Sequence, residues 1–284
     1  MAIFIRNKPS LIAICGSGQC AVSSLSLCYH IINILQLGIP IVVCPNRSDS
    51  GYDDWNSSLI NIANKLKIER RDVSLLESEE RLLLISIHYD TILKINNFKS
   101  NRLFNLHFSN LPKYRGLYTA ILPILYGESQ AGVTFHKLED GIDTGDIISQ
   151  RIFDLPENIT AKELYIQYEK QAFLLFQETF YKLLTENYKL TPQDNSQASY
   201  FSKKSLDLKN LEIDLQWSAL AIQRFVRAFH FPEYQLSKLN GRSIWACDIL
   251  SLEAKVPASI QISESSYSSV YSSGDSKLLE IIWA

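Results

Sequence analysis

The first part of the chain alternates short apolar runs with segments of helical spacing. Residues 10–16 (SLIAICG) form an apolar run, and apolar residues then recur with helical spacing until Gly38 ends the segment. Further apolar runs follow at residues 39–44, 82–87 and 102–106. Uninterrupted apolar strands that alternate with helices are typical of a parallel sheet covered on both faces, so the pattern predicts an α/β fold built from βαβ units.

The middle of the chain continues this domain. Two strand-like segments, residues 132–138 and 146–155, flank an acidic glycine turn. Thr160 and Glu163 then match a capping box, which predicts the start of a long amphipathic helix. We expect this helix to close a first domain that spans residues 1–188.

The remaining residues, 189–284, predict a smaller second unit. They begin with a polar, proline-containing stretch at 189–203, typical of a linker or a wrapping arm, and a helix is predicted over about residues 215–228. Four alternating segments separated by turns then predict strands, at residues 244–250, 259–262, 268–271 and 277–283. The pattern therefore predicts a small, mainly-β C-terminal appendix.

Composition narrows the class of protein. The chain has 284 residues, 46% of them hydrophobic, and a formal net charge of -2. This length fits one large domain with a smaller appendix. A nucleic-acid partner is not expected because a basic excess is missing, and a membrane is not expected because apolar runs fall far short of the roughly 20 residues of a spanning helix. We therefore expect a soluble protein.

Cysteine usage points the same way. The five cysteines are odd in number and show no CxxC spacing, so neither a zinc site nor any other metal site is predicted. Reduced thiols in the core of a cytoplasmic protein are the expectation. The cysteines are Cys15, Cys20, Cys28, Cys44 and Cys247.

Two motifs carry an amide, an imidazole and a carboxylate. FNLHFSNLPKYRG (104–116) contains Asn105 and His107, and EDGIDTGDII (139–148) contains Asp143. Residues two apart on a strand project to the same face. Such a trio suits attack of an amine on an acyl carbon, because imidazole moves protons, an amide donates to an oxyanion and a carboxylate orients the imidazole. A core or surface histidine and an ordinary turn aspartate would explain these residues equally well.

Together the two motifs resemble the signature of the formyltransferases that use 10-formyltetrahydrofolate. This family includes glycinamide ribonucleotide, methionyl-tRNA and nucleotide-sugar N-formyltransferases. The similarity covers roughly residues 10–185 and is densest at 82–150. The resemblance implies a Rossmann-like fold, catalytic roles for Asn105, His107 and Asp143, and 10-formyltetrahydrofolate as co-substrate.

The same resemblance implies a slot for the folate pterin, built largely from backbone groups. The matching segments are residues 86–93 and 138–143. Plain core packing would also explain the apolar residues of the first segment. The predicted cofactor-binding residues are His88, Tyr89, Ile92, Leu93, Leu138, Asp140 and Gly141.

Two further places resemble contacts to the acceptor. Tyr114, Arg115 and Gly116 match a family loop beside the acceptor, where an arginine could hold phosphate in bidentate fashion or could be a solvated surface residue. Gly16 and Ser17 form a glycine turn before a helix, which fits an acceptor-phosphate contact or a structural turn. The absence of GxGxxG argues against a dinucleotide.

Short segments resemble the nucleotide-sugar subgroup. They are WNSSL with Trp55, ASYFSKKS at 198–205, and AFHFPEYQ with Phe229, Phe231 and Tyr234. We expect Trp55 near the acceptor. The three aromatic rings could face a base or sugar, or could anchor the appendix to the first domain.

Charge separates the subgroups. Methionyl-tRNA formyltransferases carry a basic C-terminal barrel, whereas residues 201–242 here hold seven Lys or Arg against four Asp or Glu, and residues 243–284 hold only two Lys. That is a poor footprint for a phosphate backbone. Glycinamide ribonucleotide formyltransferases typically lack an extension of this length.

The resemblance therefore implies an enzyme that formylates the amine of a nucleotide-linked amino (dideoxy) sugar for a surface glycan such as lipopolysaccharide. His107 is expected to act as general base or acid, Asn105 to polarise the formyl oxygen, and Asp143 to orient His107 and position the amine. Related enzymes imply a homodimer. The alternatives are a methionyl-tRNA formyltransferase with a degenerate appendix, or a folate- or nucleotide-binding regulatory protein without turnover, which should lack a member of the trio.

Overall fold

The computed structural model describes Ile5, residues 7–253 and residues 257–284. The chain divides into two compact units. Unit 1 comprises Met1–Gly116, Gly132–Ile152 and Gln167–Tyr200, and unit 2 comprises Leu117–Ala131, Phe153–Ile166 and Phe201–Ala284. Both units are therefore discontinuous in sequence, and the single boundary near residue 188 remains a sequence-based proposal.

The helices and strands are as follows in chain order. They are β1 (Leu11–Gly16), α1 (Gly18–Ile34), β2 (Ile41–Pro45), α2 (Leu59–Leu66), β3 (Glu69–Arg70), β4 (Leu82–Ile87), β5 (Leu103–His107), β6 (Arg115–Gly116), α3 (Leu122–Leu125), β7 (Gln130–Lys137), β8 (Ile147–Asp154), α4 (Ala161–Thr185), β9 (Tyr200–Phe201), α5 (Ala219–Ala228), β10 (Lys238–Leu239), β11 (Arg242–Glu253), β12 (Gln261–Glu264), β13 (Ser268–Ser272) and β14 (Lys277–Trp283).

A seven-stranded sheet with the order β3-β2-β1-β4-β5-β7-β8 forms the centre of unit 1. The strands from β3 to β5 pair in parallel, and β7 pairs antiparallel with β5. Every residue of β1 and β4 is buried, which explains why these strands are uninterrupted apolar runs. The predicted α/β class and its four apolar strands are confirmed.

Helix α1 follows β1 after Ser17 and buries one of its faces in the core. Its buried residues include Cys20, Leu25, Cys28 and Ile32, which recur at helical spacing. All five cysteines of the chain are buried and free, as expected for core thiols. No helix within the described part of the chain combines the length and the apolar character needed to cross a bilayer.

Unit 2 contains a five-stranded sheet with the order β10-β11-β14-β13-β12, and its pairings are antiparallel. Helix α5 packs on it through Ile222 and Val226, which share an apolar cluster with Ile244 and Leu279. The four strands predicted for the C-terminal appendix are therefore confirmed.

Helix α5 begins later than the sequence pattern predicted. It starts at Ala219, not near residue 215, because local side chains take the backbone N–H groups at this point. The Asp214 carboxylate accepts from the backbone N–H of Gln216, and Ser218 caps the helix by accepting from Ala221.

Candidate active site

Strand β5 brings two of the predicted side chains to its carboxyl end. Asn105 and His107 are two residues apart, so both point to one face of the sheet. Asn105 lies opposite Ser86 of β4 on one side and opposite His136 of β7 on the other. The carboxyl ends of parallel strands are where open α/β sheets place their ligands.

The turn between β7 and β8 delivers the third side chain. Asp143 has a left-handed backbone with φ 53°. Gly145 lies so close to β7 that a Cβ there would stand 1.9 Å from the carbonyl oxygen of Lys137. The Gln193 side-chain amide donates to the carbonyl oxygens of Asp143 and Gly145, each at 2.8 Å. Packing and hydrogen bonds therefore fix this turn and the carboxylate on it.

The three predicted catalytic residues meet at the Asp143 carboxylate. Asn105 Nδ2 donates to Asp143 Oδ1 at 3.3 Å, and His107 Nδ1 lies 3.6 Å from Asp143 Oδ2. The backbone N–H of Gly116 also donates to Oδ2, at 2.8 Å. The structure thus assembles an amide, an imidazole and a carboxylate in one cluster, while their catalytic roles remain predictions.

A second imidazole, His136, belongs to this cluster and was missed by the sequence analysis. Its Nε2 lies 3.1 Å from Asn105 Nδ2 and 3.4 Å from Asp143 Oδ1. Its Nδ1 faces the carbonyl oxygen of Lys137 at 2.8 Å and must carry the hydrogen, because a carbonyl only accepts. The pairing of β7 with β5, which places His136 opposite Asn105, could not be read from sequence.

The surroundings keep Asp143 ionised. Burial raises the pKa of this carboxyl, but the charge of His107, the hydrogen bond and charge of His136, and the Gly116 N–H all lower it. The lowering effects prevail, so the pKa of Asp143 lies well below its usual range. The site therefore holds a fixed negative charge between two imidazoles at neutral pH.

The loop predicted to lie beside the acceptor contacts the cluster through its backbone. His107 Nε2 faces the carbonyl oxygen of Tyr114 at 2.9 Å, so Nε2 carries a hydrogen and Nδ1 faces Asp143. Tyr114 has φ 59°, and its N–H donates to Ser199 Oγ at 2.8 Å. The predicted residues Tyr114 and Gly116 thus hold His107 and Asp143 in place, one by a carbonyl and the other by an N–H.

Arg115 is buried, which rules out a solvated surface role. Its Nε and Nη2 donate to Gln193 Oε1 at 3.1 and 2.7 Å, and Nη2 also donates to Asn195 Oδ1 at 2.8 Å. Because Gln193 in turn holds the Asp143 turn, Arg115 supports the position of the carboxylate. A phosphate contact for Arg115 remains a prediction.

The glycine turn after β1 is explained by packing. Gly16 has φ 131°, and a Cβ there would stand 1.7 Å from the carbonyl oxygen of Ile87 on β4. Ser17 precedes α1 and is buried. In the first turn of α1, the N–H of Cys20 donates to the buried carboxylate of Glu169. The chain thus supplies an anion to this helix end, which supports the structural role; a phosphate contact at Gly16 and Ser17 stays a prediction.

Three of the predicted folate residues share one apolar cluster. Tyr89, Leu93 and Leu138 pack against buried residues of β1, β2, β4 and β5. Burial raises the pKa of Tyr89 to about 12. Ile92, in contrast, is 78% exposed, so it does not fit the core-packing alternative.

A cavity of about 540 Å³ lies beside this cluster in unit 1. Leu138, Asp140 and Gly141 line it, together with Phe98. The Asn96 amide donates to both carboxylate oxygens of Asp140, at 3.1 and 2.9 Å. This cavity unites three of the predicted cofactor residues.

The other predicted cofactor residue, His88, lies just after β4. It has a left-handed φ of 54°, and its ring stacks on Phe108 with centroids 5.6 Å apart. Its carbonyl oxygen accepts from Asn46 Nδ2 at 2.9 Å, so this backbone group is engaged within the chain.

The predicted aromatic contacts differ in exposure. Trp55 in unit 1 is 38% exposed. In unit 2, Phe229 and Phe231 are buried, and the Phe229 ring packs on Phe225 at 4.5 Å. Tyr234 is 62% exposed and contacts Phe231 at 4.9 Å. Only Tyr234 of the three unit 2 aromatics therefore presents much open surface, and contacts of these residues to substrate remain predictions.

Comparison with known families identifies the fold. A family model described as "Formyl transferase" matches residues 30–179. A methionyl-tRNA formyltransferase from Fervidobacterium nodosum is 33% identical over 165 residues, which are 57% of this chain and 51% of that protein. Alignments with this and other curated relatives span 51% to 62% of their length.

Two solved structures match almost the whole chain. WlaRD, a sugar 3-N-formyltransferase crystallised with dTDP and 5-N-formyl-tetrahydrofolate, is 35% identical with a TM-score of 0.86, and the match covers 96% of this chain and 97% of WlaRD. An N-formyltransferase from Helicobacter canadensis, in complex with folinic acid and dTDP-3-aminofucose, is 32% identical with a TM-score of 0.87, covering 97% and 100%.

Proposed function

Since this chain belongs to the formyl transferase family, we propose that it transfers a formyl group from 10-formyltetrahydrofolate to the amine of a nucleotide-linked amino sugar. The observation that carries the proposal is the Asp143 carboxylate, held ionised between Asn105 and His107. A trio of this kind can orient an amine, accept its proton and stabilise an oxyanion.

We propose a separate task for each side chain of the cluster. The Asp143 carboxylate lies 3.6 Å from His107 Nδ1 and can hold this ring in the orientation in which Nδ1 takes up the proton that the attacking amine loses. One hydrogen of Asn105 Nδ2 is directed to Asp143 Oδ1, and the other is directed to His136 Nε2. We propose that the formyl oxygen replaces His136 as the acceptor of the second hydrogen. Donation of that hydrogen to the developing oxyanion would stabilise the tetrahedral intermediate.

The residues of unit 1 suit a folate. The cavity of about 540 Å³ offers apolar walls at Phe98 and Leu138 and polar groups at Asn96 and Asp140. Binding sites for flat heterocycles combine apolar walls with a few placed polar groups. When bound, 10-formyltetrahydrofolate supplies the formyl group.

Similarity to two structures bound to dTDP or a dTDP-aminosugar supports a nucleotide-linked sugar as acceptor, since both matches cover nearly the full length of each chain. The alternative that the acceptor is methionyl-tRNA has less support. The match to the methionyl-tRNA formyltransferase covers about half of that protein, and the C-terminal part of this chain has no marked basic excess. We further propose that the enzyme works in the cytoplasm, as a homodimer, in the synthesis of a surface glycan such as lipopolysaccharide.

A formyl-transfer assay tests the proposal. The purified chain would be incubated with 10-formyltetrahydrofolate and a panel of nucleotide-linked aminosugars, with initiator methionyl-tRNA in parallel, and products would be read by mass spectrometry. One added formyl group on one sugar is the expected result. Transfer to tRNA would overturn the sugar assignment, and folate binding with no transfer to any acceptor would favour the regulatory alternative.

A further inference from the structure

A second cavity, of about 560 Å³, lies wholly within unit 2. It is formed by the start of α4, the last turn of α5 and strand β11, and none of the predicted site residues lines it. Its apolar side includes Val226 and Cys247, both buried, and Ile166, which is 55% exposed. A concave site of this volume is large enough for a small ligand.

Arg227 is the charged residue that makes this cavity unusual. Its Nη1 donates to the backbone carbonyl oxygens of Glu157 and Ile159. Its Nε is buried without an acceptor, and its Nη2 has no hydrogen-bond partner among the residues that the structure describes. Within those residues no carboxylate pairs with it either. Because Nε is closed to solvent, Nη2 is the nitrogen that a ligand in the cavity can reach, and an anion there would form a charge-assisted hydrogen bond.

Arg227 is half-buried, and partial loss of hydration is unfavourable for its charge. Burial and the nearby charge of Arg224 lower the pKa of Arg227, while Glu157 raises it only in part. An anionic partner would offset part of this cost. A bound anion would therefore correct a deficit that the chain itself leaves.

The other lining groups can contact a planar ring and hydroxyl groups in addition to an anion. The Trp245 ring forms a T-shaped pair with the His230 ring, with centroids 4.7 Å apart, and is 47% exposed, so its open surface can contact a planar ring. His230 Nδ1 faces the Trp245 carbonyl oxygen at 2.8 Å, so Nδ1 carries the hydrogen and Nε2 is left to accept. Asp248 is exposed on β11 and can accept from a hydroxyl group.

The remaining charged groups of the cavity are engaged within the chain. The Glu163 carboxylate accepts from the N–H and the hydroxyl group of Thr160, at 2.9 and 2.8 Å. Lys162 pairs with Glu233 at the edge. Arg227, Trp245, His230 and Asp248 are thus the groups available to a ligand.

We infer that this unit 2 cavity binds a nucleoside diphosphate, with a phosphate on Nη2 of Arg227, the base against Trp245 and a sugar hydroxyl on Asp248. Phosphate, planar base and hydroxylated sugar each find a matching group there. The inference stands independently of the proposed formyl transfer, since no residue of the Asp143 cluster is involved.

Equilibrium dialysis with dTDP tests the inference by counting sites on the full chain. If unit 1 also binds the nucleotide of the acceptor, the wild type should bind two dTDP per chain, and Arg227→Gln should bind one. Loss of the charged contact should weaken the unit 2 site about tenfold. Arg242→Gln is the matched control, because Arg242 lies in unit 2 over the Trp283 ring, away from the cavity.

Trp245→Ala supplies a second variant that does not depend on the Arg227 contacts to the backbone. It should weaken the same site and leave the other unchanged, and thermal unfolding of each variant would confirm that it is folded. Pyrophosphate and thymidine alone should each bind more weakly than dTDP.

Each failure has its own signature. A single dTDP site in the wild type that disappears in Arg227→Gln would support the inference while removing the acceptor site that the proposed function requires. Equal stoichiometry and affinity in wild type and both variants would overturn the inference. If folinic acid occupies the unit 2 site and dTDP does not, the inference is overturned as well.

Discussion

Two regions of this protein satisfy a charged side chain to different extents. In unit 1 both oxygens of Asp143 are met by the chain's own groups, namely Asn105 and His136 on one side and Gly116 and His107 on the other. In unit 2 one edge of the Arg227 guanidinium is left without an acceptor among the described residues. The contrast suggests that a saturated charge is part of preorganised chemistry, whereas an open one is completed by a ligand.

A second arginine shows that burial alone does not make the difference. Arg102 in unit 1 also has a buried Nε without an acceptor. Its Nη1 donates to the Asn7 carbonyl oxygen at 2.8 Å and pairs with Glu186 at 3.1 Å, and its Nη2 donates to the carbonyl oxygens of Leu183 and Leu184. Arg102 thus holds the end of α4 with a carboxylate partner, which Arg227 lacks.

The strongest test of the saturated region is Asp143→Asn. The amide removes the negative charge that orients His107, so we expect kcat/KM for formyl transfer to fall about 10³- to 10⁴-fold. Steady-state assays with the acceptor that the formyl-transfer assay identifies would measure this decrease. Asp154→Asn is the control and should retain activity, because Asp154 is exposed and accepts from the side-chain amide of Gln130. Near wild-type turnover in Asp143→Asn would contradict the proposed mechanism.

The next largest effect is expected for Asn105→Ala. Loss of the donor to the oxyanion should lower kcat about 10²- to 10³-fold with little change in KM. Because Asn105 is only partly buried, the thermal unfolding midpoint should shift by a few degrees at most. A rise in KM with unchanged kcat would instead mean that Asn105 binds substrate in the ground state.

Stability measurements sharpen the comparison of the two arginines. Arg102→Gln leaves Glu186 and three carbonyl groups without their donor, so the free energy of unfolding should drop by about 2 to 3 kcal/mol. Arg227→Gln removes a cation that has no carboxylate partner among the described residues, and it should lower the free energy of unfolding by about 1 kcal/mol. Urea unfolding of both variants measures this. Equal losses would show that the two sites are held alike and would break the comparison.

The strands of the unit 1 sheet and part of the Asp143 cluster can be predicted from the sequence, because they depend on residues close together in the chain. Apolar runs predict β1, β4 and β5, since strands buried on both faces need continuous apolar residues. The spacing of Asn105 and His107 predicts a shared face. Asp143, 36 positions after His107, could be joined to them only through the family resemblance.

Other features depend on contacts between distant segments. His136 enters the cluster through the antiparallel pairing of β7 with β5, and Gln193 supports the Asp143 turn from 50 positions away. The cavity of Arg227 is assembled from three segments of unit 2. No local periodicity marks these residues, because their chemistry arises only when the chain is folded.

The smallest expected effect is a pH dependence of stability that originates in Asp143. Its pKa is depressed in the folded state relative to the usual value of about 3.9, so the unfolded chain takes up the proton first as the pH falls. The stability that the carboxylate contributes is therefore complete above about pH 5 and is lost as the pH falls below about 4. Wild type should lose at most about 1.4 kcal/mol per pH unit from this group.

Asp143→Asn removes this titration and provides the reference. The difference in unfolding free energy between wild type and the variant should decrease from about pH 4 toward pH 3 in favour of the variant. Denaturant unfolding at pH 7, 5, 4 and 3 would measure it. A difference that stays constant down to pH 3 would mean that the contacts of Asp143 with His107, His136 and Gly116 do not favour its charged form, and the saturated charge of unit 1 would lose its energetic basis.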